Sequence, residues 1–442
     1  MRKLLLLPGL LSVVLPVFAS FSVEGVMSDT CPQSHIDTVF VVDKVEGGRL
    51  SYTDGEMYRY RWTAYDRDGN MSVLKEETGE VDTTSVDMVD AASLGYLLEA
   101  FGADTTFRSW AWVFDYSRYP VTIDTVFVDS DVSDRCYYVQ LRFSVTAEAL
   151  AYDTIGHERQ DFELDRTFYL TYDSTYWADG SYLTETVTRR VGQVEDYSIE
   201  SPLGSTAYTL SGDRFARTFG REVSFTSEPF EAIAVEIHPE AEVLERDARN
   251  EKDRNASSNQ KLSGSAPLVV ELESNASEAA YFYDWSLSTQ KDFSTSVLEY
   301  KDPDFRYTFN EKETYYLRLQ VSNSAMSSDT TLSCQRTRVY VVEVMESFLD
   351  VPNVFTPNGD GMNDQFKVAY RSITDFHGTV YNLWGRKVYE WTDPADGWDG
   401  TIHGKQAAEG VYFYVIKATG NDKDSDGNAV EYFLRGDINL LR

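Results

Sequence analysis

The chain has little cysteine, little histidine and little positive charge. Its three cysteines, Cys31, Cys136 and Cys334, allow one bridge and one spare thiol within a monomer. A disulfide framework is therefore excluded, and any modules must be held by their cores. Spacing leaves the pairing of the three open. The five histidines, His35, His157, His238, His377 and His403, are scattered without metal-ligand spacing. The sequence contains no Gly-rich phosphate loop, no HExxH, no CxxC and no GxSxG nucleophile elbow. Forty Lys and Arg stand against 72 Asp and Glu, a net charge of −32. Such a charge repels nucleic-acid backbones and anionic membrane surfaces, so neither is expected as a partner. Beyond the N-terminus no stretch is apolar enough to span a bilayer, and no direct membrane insertion is expected of the mature chain.

What is abundant is aromatic and β-branched. The chain has 29 Tyr, 24 Phe and 8 Trp, residues that suit a pleated, half-buried surface. Their spacing is period two. Tyr58, Tyr60, Trp62 and Ala64 share one face, with Arg59, Arg61 and Thr63 on the other. Trp110, Trp112, Phe114 and Tyr116 alternate likewise, as do Tyr137, Val139, Leu141, Phe143 and Val145. This alternation predicts strands that bury one face. Turn clusters such as Asp66-Arg67-Asp68-Gly69-Asn70 separate them. Met88 to Phe101 is the one serious helical candidate, and its alternation from Gly95 favours a strand. Three echoes suggest tandem modules: IDTVFV at 36–41 and 123–128, YYVQL at 137–141 against YYLRL at 315–319, and YRYRW at 58–62 against YFYDW at 281–285.

Residues 1–19 read as a cleaved signal peptide, with Arg2 and Lys3, an apolar core from Leu4 to Phe18, and small Ala19 before the cut. Sandwich domains run at about 100 residues, so three or four fit the remainder. Two immunoglobulin-like β-sandwiches are expected at 28–119 and 120–235. The span 239–265 is rich in charge, Asn and Ser and nearly lacks aromatics, which predicts a polar linker, with a short exposed helix near Glu240–Arg249 as the alternative. Ala232 to Ile237 just before it reads as a strand that either closes the second module or opens the third. Residues 266–346 carry APLVVELES, YFYDWSLS, YTFNEKETYYLRLQVSNS and RTRVYVVEV in order. This order resembles a PKD-like, immunoglobulin-like β-sandwich.

Residues 350–442 hold VPNVFTPNGDGMNDQFKV, YNLWGRKVYEW, DGWDGTIHG, AEGVYFYVIKA and a final GDINLLR. The set resembles the gliding motility-associated C-terminal domain, the type B sorting domain of type IX secretion in Bacteroidetes-type bacteria. The matching positions are Pro352, Asn353, Phe355, Thr356, Pro357, Asn358, Gly359, Asp360, Gly361, Asn363 and Asp364. Further matches are Asn382, Trp384, Gly385, Gly397, Trp398, Asp399, Gly400, Gly410, Tyr412, Leu440, Leu441 and Arg442. Leu383 departs from the family's usual Arg. Together with the N-terminal Sec signal peptide, the resemblance implies recognition by the type IX machinery, export through the outer membrane, and an extracellular or outer-membrane-surface destination.

The fold class expected is all-β: tandem immunoglobulin/PKD-like sandwiches followed by a β-sandwich sorting domain. No cofactor is expected. A Ca²⁺ site would draw on Asp360 and Asp364, or on Asp422, Asp424 and Asp426, since oxygen-rich loops suit hard cations. In the second loop Phe433 stands where a bidentate Glu belongs, which favours a hairpin tip instead. Trp177, beside the turn Ala178-Asp179-Gly180, is the candidate for stacking on a sugar. The role expected is non-enzymatic: adhesion, binding of a glycan or protein ligand, or a structural part. The alternative is a glycan-active hydrolase with its site in 28–235, which would need two carboxylates facing each other across a deep pocket.

Overall fold

The structure, a computed structural model, describes residues 20–53, 59–79, 81–102, 106–129, 134–154, 162–192, 197–244, 256–257, 261–324 and 333–442. The expected signal peptide and Tyr58 lie outside the described residues. The fold is all-β, with one short α-helix among the described residues, Arg214–Thr218. Ser93–Phe101 is a strand, as its alternation predicted.

The first module packs two sheets. One holds Ser20–Glu24, Arg49–Thr53 and Thr83–Asp87 in spatial order. The other runs Ser28–Cys31, Thr38–Val42, Thr106–Asp115, Ser93–Phe101, Arg59–Tyr65 and Met71–Glu77. The third module repeats this plan strand for strand. Its small sheet is Glu240–Val243, Leu268–Glu273 and Phe305–Phe309. Its large sheet is Ala256–Ser257, Lys261–Ser265, Gln335–Met345, Thr314–Ser322, Phe282–Ser288 and Leu298–Tyr300. In both, the third strand runs parallel to the ninth and all other neighbours are antiparallel. Trp62 and Trp285 sit on the equivalent fifth strand, both fully buried. Each indole N–H finds an acceptor, Thr84 Oγ1 at 3.0 Å and the Asp302 carbonyl at 3.1 Å. That satisfies the polar handle of a buried Trp.

This repeat corrects the expected linker. The span 239–265 contributes three strands to the third module. Val243 and Leu262 enter its core. A polar segment joins a sandwich when it supplies a few buried residues and neighbouring strands take up its backbone groups, here Leu268–Glu273 for Glu240–Val243 and Gln335–Met345 for Lys261–Ser265. Ala232 to Ile237 is not a strand. It makes one bridge between Ile237 and Ala276, and buries Ala232 and Val235 in the third core.

The second module has a three-stranded sheet, Val121–Asp129, Tyr138–Ala147 and Tyr197–Glu200, facing a four-stranded one, Ser181–Val191, Phe168–Ala178, Thr209–Gly212 and Val223–Thr226. It does not stand apart from the first. Strand Thr106–Asp115 is central and, from Ala111 onward, buried on both faces. Ala111 and Val113 fill the first sandwich. Trp112 and Phe114 pack instead on Leu150, Tyr152, Leu164, Phe215 and Phe219 of the second module. The two therefore share a core. Where they meet, Asp213 caps the short helix by accepting from the amides of Phe215 and Ala216. It also takes Arg166 Nε at 2.5 Å and the Tyr116 hydroxyl at 2.7 Å.

The C-terminal module has a five-stranded sheet, Val354–Phe355, Ala429–Leu440, Gly410–Lys423, Ile373–Tyr381 and Lys387–Trp391. Its core gathers Phe355, Phe366, Trp391, Trp398, Tyr412, Ile416 and Leu440.

Candidate functional sites in the C-terminal module and at a module junction

Most of the sorting-motif residues build turns and core. Phe355, Trp398, Tyr412 and Leu440 are buried together. Trp398 Nε1 donates to the Thr401 carbonyl at 2.8 Å, and the Tyr412 ring meets Trp398 edge-on at 4.9 Å. Gly397 pairs with Lys367, and a Cβ there would meet the Phe366 carbonyl oxygen at 2.6 Å. Gly400 has φ +75°, and a Cβ would press on Pro357 at 2.9 Å. Arg442 ties the end of the chain down by donating to the carbonyls of Ala407 and Gly400 at 2.5 and 3.0 Å. Leu441 is half exposed, but its amide donates to the Phe355 carbonyl. Asn353 accepts from the Asn439 amide at 2.9 Å, and the Thr356 amide donates to Asn363 at 2.8 Å. Gly410 and Gly385 hold positive φ. Asp399 accepts from the Thr401 amide and hydroxyl, both at 2.8 Å. Pro352 is exposed at the entry to the module.

Trp384 is the exception. It is 87% exposed, with Leu383 beside it at 64%. The turn that carries them is fixed, because Asn382 Oδ1 accepts from the amides of Trp384 at 3.1 Å and Arg386 at 3.0 Å. Trp384 and Leu383 thus place adjacent apolar side chains in water on a hydrogen-bonded turn.

The acidic loops use their carboxylates on their own backbone. Asp364 accepts from the amides of Gly359 and Gly361 at 2.7 and 2.8 Å. Asp360 accepts from the Met362 amide and the Asn358 side chain. Asp424 takes the amides of Asp426 and Asn428 at the tip of a hairpin. Asp422 is buried and accepts from the Ser347 amide at the junction with the third module. Among the described residues, no three His, Cys, Asp or Glu gather as a metal site would require. The Met362 amide holds the Asp360 carboxyl below the usual range, and the Asn428 amide does the same for Asp424. A depressed folded pKa adds stability above the unfolded value, about 3.9, that is lost as pH falls through the folded one. The amide resonances of Met362 and Asn428 are expected to titrate below about pH 3.9. Midpoints at that ordinary value would show that the carboxylates are not held by their turns.

In residues 28–235 the acid-rich cavity, about 770 Å³, is lined by Glu46, Asp87, Asp90 and Asp115 together with Arg118 and Arg221. Three of these four acids lie against arginines. Arg118 pairs with Asp90 and with Asp115, the latter at 3.4 Å, and Arg49 pairs with Asp87 at 3.2 Å. These carboxylates are engaged by guanidinium groups rather than facing each other across the cavity, as the two acids of a glycan hydrolase would.

Trp177 lies at the junction of the second and third modules. One face of its ring stacks on His238 at 4.7 Å and 5°, and Tyr182 meets it edge-on at 5.0 Å. That face is taken. Residues that the alternation did not single out stand open beside it: Tyr138 and Tyr176 are exposed, and so is Tyr137, which had been expected on the buried face with Val139 and Leu141. Tyr137 precedes the strand and escapes its alternation. The junction is closed by a disulfide between Cys136 and Cys334, which leaves Cys31 free and buried. Tyr182 also donates to the Glu236 and Asn275 carbonyls, and Glu278 accepts from Ser205.

Among solved structures, the chain is similar to the chicken CNTN1 FN1–FN3 domains at 8% identity, over 72% of this chain and 100% of that one, with a TM-score of 0.21. It is also similar to a structure titled for Dscam isoform specificity at 11% identity, over 95% and 99%, with a TM-score of 0.22. Likenesses that slight say nothing of function. No curated protein matches the chain. Residues 128–227, which hold both sheets of the second module apart from most of strand Val121–Asp129, match the fibronectin type III domain. Residues 349–431 match the CHU_C type IX secretion signal domain, so the chain carries an address for export to the cell surface or the medium.

Proposed function

We propose that this is a non-catalytic surface or secreted protein, one that binds a ligand or serves as a structural part. The type IX signal is the observation that carries the export half of this reading. Arginines beside the acids of the one acid-rich cavity described above favour the non-catalytic half. Interlocked modules suit a protein that presents surfaces in fixed relation: a shared core joins the first two, a disulfide the next two, and Lys423–Glu311 at 3.4 Å with Asp422–Ser347 the last two.

Within the sorting module, Trp384 and Leu383 are the surface we assign to recognition by the export machinery. Trp384→Ala should leave stability within about 0.5 kcal/mol, as surface substitutions do, and yet leave the protein in the periplasm. Fractionation with mass spectrometry of both mature ends reads this. Removal of residues 350–442 should abolish export. A truncated chain that still leaves the cell would defeat the address reading. A Trp384→Ala chain exported like wild type would show that the turn is not what the machinery reads.

A further inference from the structure

We propose that the cleft between the second and third modules binds a neutral oligosaccharide. This rests on the binding role above. The cleft measures about 930 Å³. It meets a second groove of about 760 Å³ through Trp177, His238 and Arg336. Small-ligand sites run to about 300–1,000 Å³.

Three features fix the ligand class. The first is the pair of exposed rings of Tyr138 and Tyr176, gathered in one concave place with Tyr137. Aromatic rings placed in solvent at a cleft give flat apolar faces with a polar tip. The second is the set of held polar groups. Arg189 is fixed by the Tyr172 hydroxyl at 2.8 Å, and Arg336 lies over the Tyr137 ring at 5.1 Å. Glu200 lines the same cleft. Flat faces with a few fixed donors and acceptors match a ligand that is apolar on its ring faces and hydroxyl-rich at its edges, which is a sugar. The third is charge. Arginines and glutamates are mixed in the cleft, and the chain as a whole carries −32. A polyanionic glycan would meet repulsion on approach.

The disulfide gives the cleft its shape. Cys136 immediately precedes Tyr137, and Cys334 lies two residues before Arg336. The bridge therefore holds walls from two modules in one place before any ligand arrives, which lowers the ordering cost of binding.

The test is calorimetric and fluorescence titration of the full-length protein with neutral hexasaccharides of glucose, xylose and mannose, and with hexagalacturonate. At least one neutral hexasaccharide should bind saturably with Kd below about 1 mM. Tyr138→Ala and Tyr176→Ala should each weaken it about three- to tenfold, with unchanged circular dichroism. Phe433→Ala, an exposed ring on the C-terminal module, should leave binding unchanged. Failure of all the neutral hexasaccharides at about 10 mM, indifference to both tyrosine variants, or preference for hexagalacturonate would each overturn the proposal. Cleavage of the bound hexasaccharide would instead overturn the non-catalytic role and leave the site standing.

Discussion

Asp213→Ala is expected to destabilise the paired first and second modules by about 3–5 kcal/mol, the cost of breaking a buried ion pair from one side. Asp213 is 0% exposed and its partner Arg166 is buried as well. Removing the carboxylate strands a guanidinium whose other bonds go to neutral acceptors, the carbonyls of Glu148 at 2.6 Å and Tyr119 at 2.9 Å. It also takes the cap from the helix Arg214–Thr218 and leaves the amides of Phe215 and Ala216 without their acceptor. That helix delivers Phe215 and Phe219 to the core shared with Trp112 and Phe114, so the loss reaches both modules. Urea unfolding followed by tryptophan fluorescence reads it. Arg166→Met with Asp213→Val should cost less than Asp213→Ala alone, because no buried charge is left unpaired. A loss below about 1 kcal/mol for Asp213→Ala would show that the pair does not hold the junction.

The same site sets an alkaline limit. Burial above all, and then the hydrogen bond to Asp213, hold the Tyr116 phenol protonated well past its ordinary range. Its share of stability is complete below about pH 10 and is lost as pH rises beyond that.

Period-two alternation made the strands legible because it is a local property. Tyr60, Trp62, Val139 and Leu141 are buried as their spacing predicts. The partners of those strands were not legible, because pairing is set between distant segments. Of the three echoes, only YRYRW and YFYDW mark equivalent strands, the fifth of the first and third modules. IDTVFV at 36–41 lies inside a six-stranded sheet, while its echo at 123–128 forms the edge of a three-stranded one with Phe127 in solvent. The sorting module could be read as a unit because its motifs follow one another within one stretch of the chain. The junction cleft could not, because Tyr138 and Arg336 come from different modules and the disulfide that brings them together had no spacing signal.

Loss of that disulfide carries the second large effect. Cys136→Ser or Cys334→Ser is expected to destabilise the junction by about 2–5 kcal/mol, the usual cost of removing a native bridge. The two residues are 198 apart in sequence, so the bridge closes a long loop and lies at the upper end of the chain-entropy estimate, about 5 kcal/mol. The loss should be local rather than global, since a multi-module chain does not unfold in one step. Limited proteolysis should cut faster around the residues that cross the junction, Ala232 to Pro239, while the C-terminal module is spared. Reduction of the wild type with dithiothreitol should reproduce the variant, and reduction of the variant should add nothing. Cys31 does not compete for the bridge. It is buried, and burial pushes its thiol up to about 11, so the thiolate that would attack a disulfide is scarce at neutral pH. Thiol titration of the unfolded, unreduced protein should therefore find one free thiol per chain, and peptide mapping should place it at Cys31. Three free thiols, or a bridge that includes Cys31, would remove the staple and with it the reason that Tyr137 and Arg336 face one cleft.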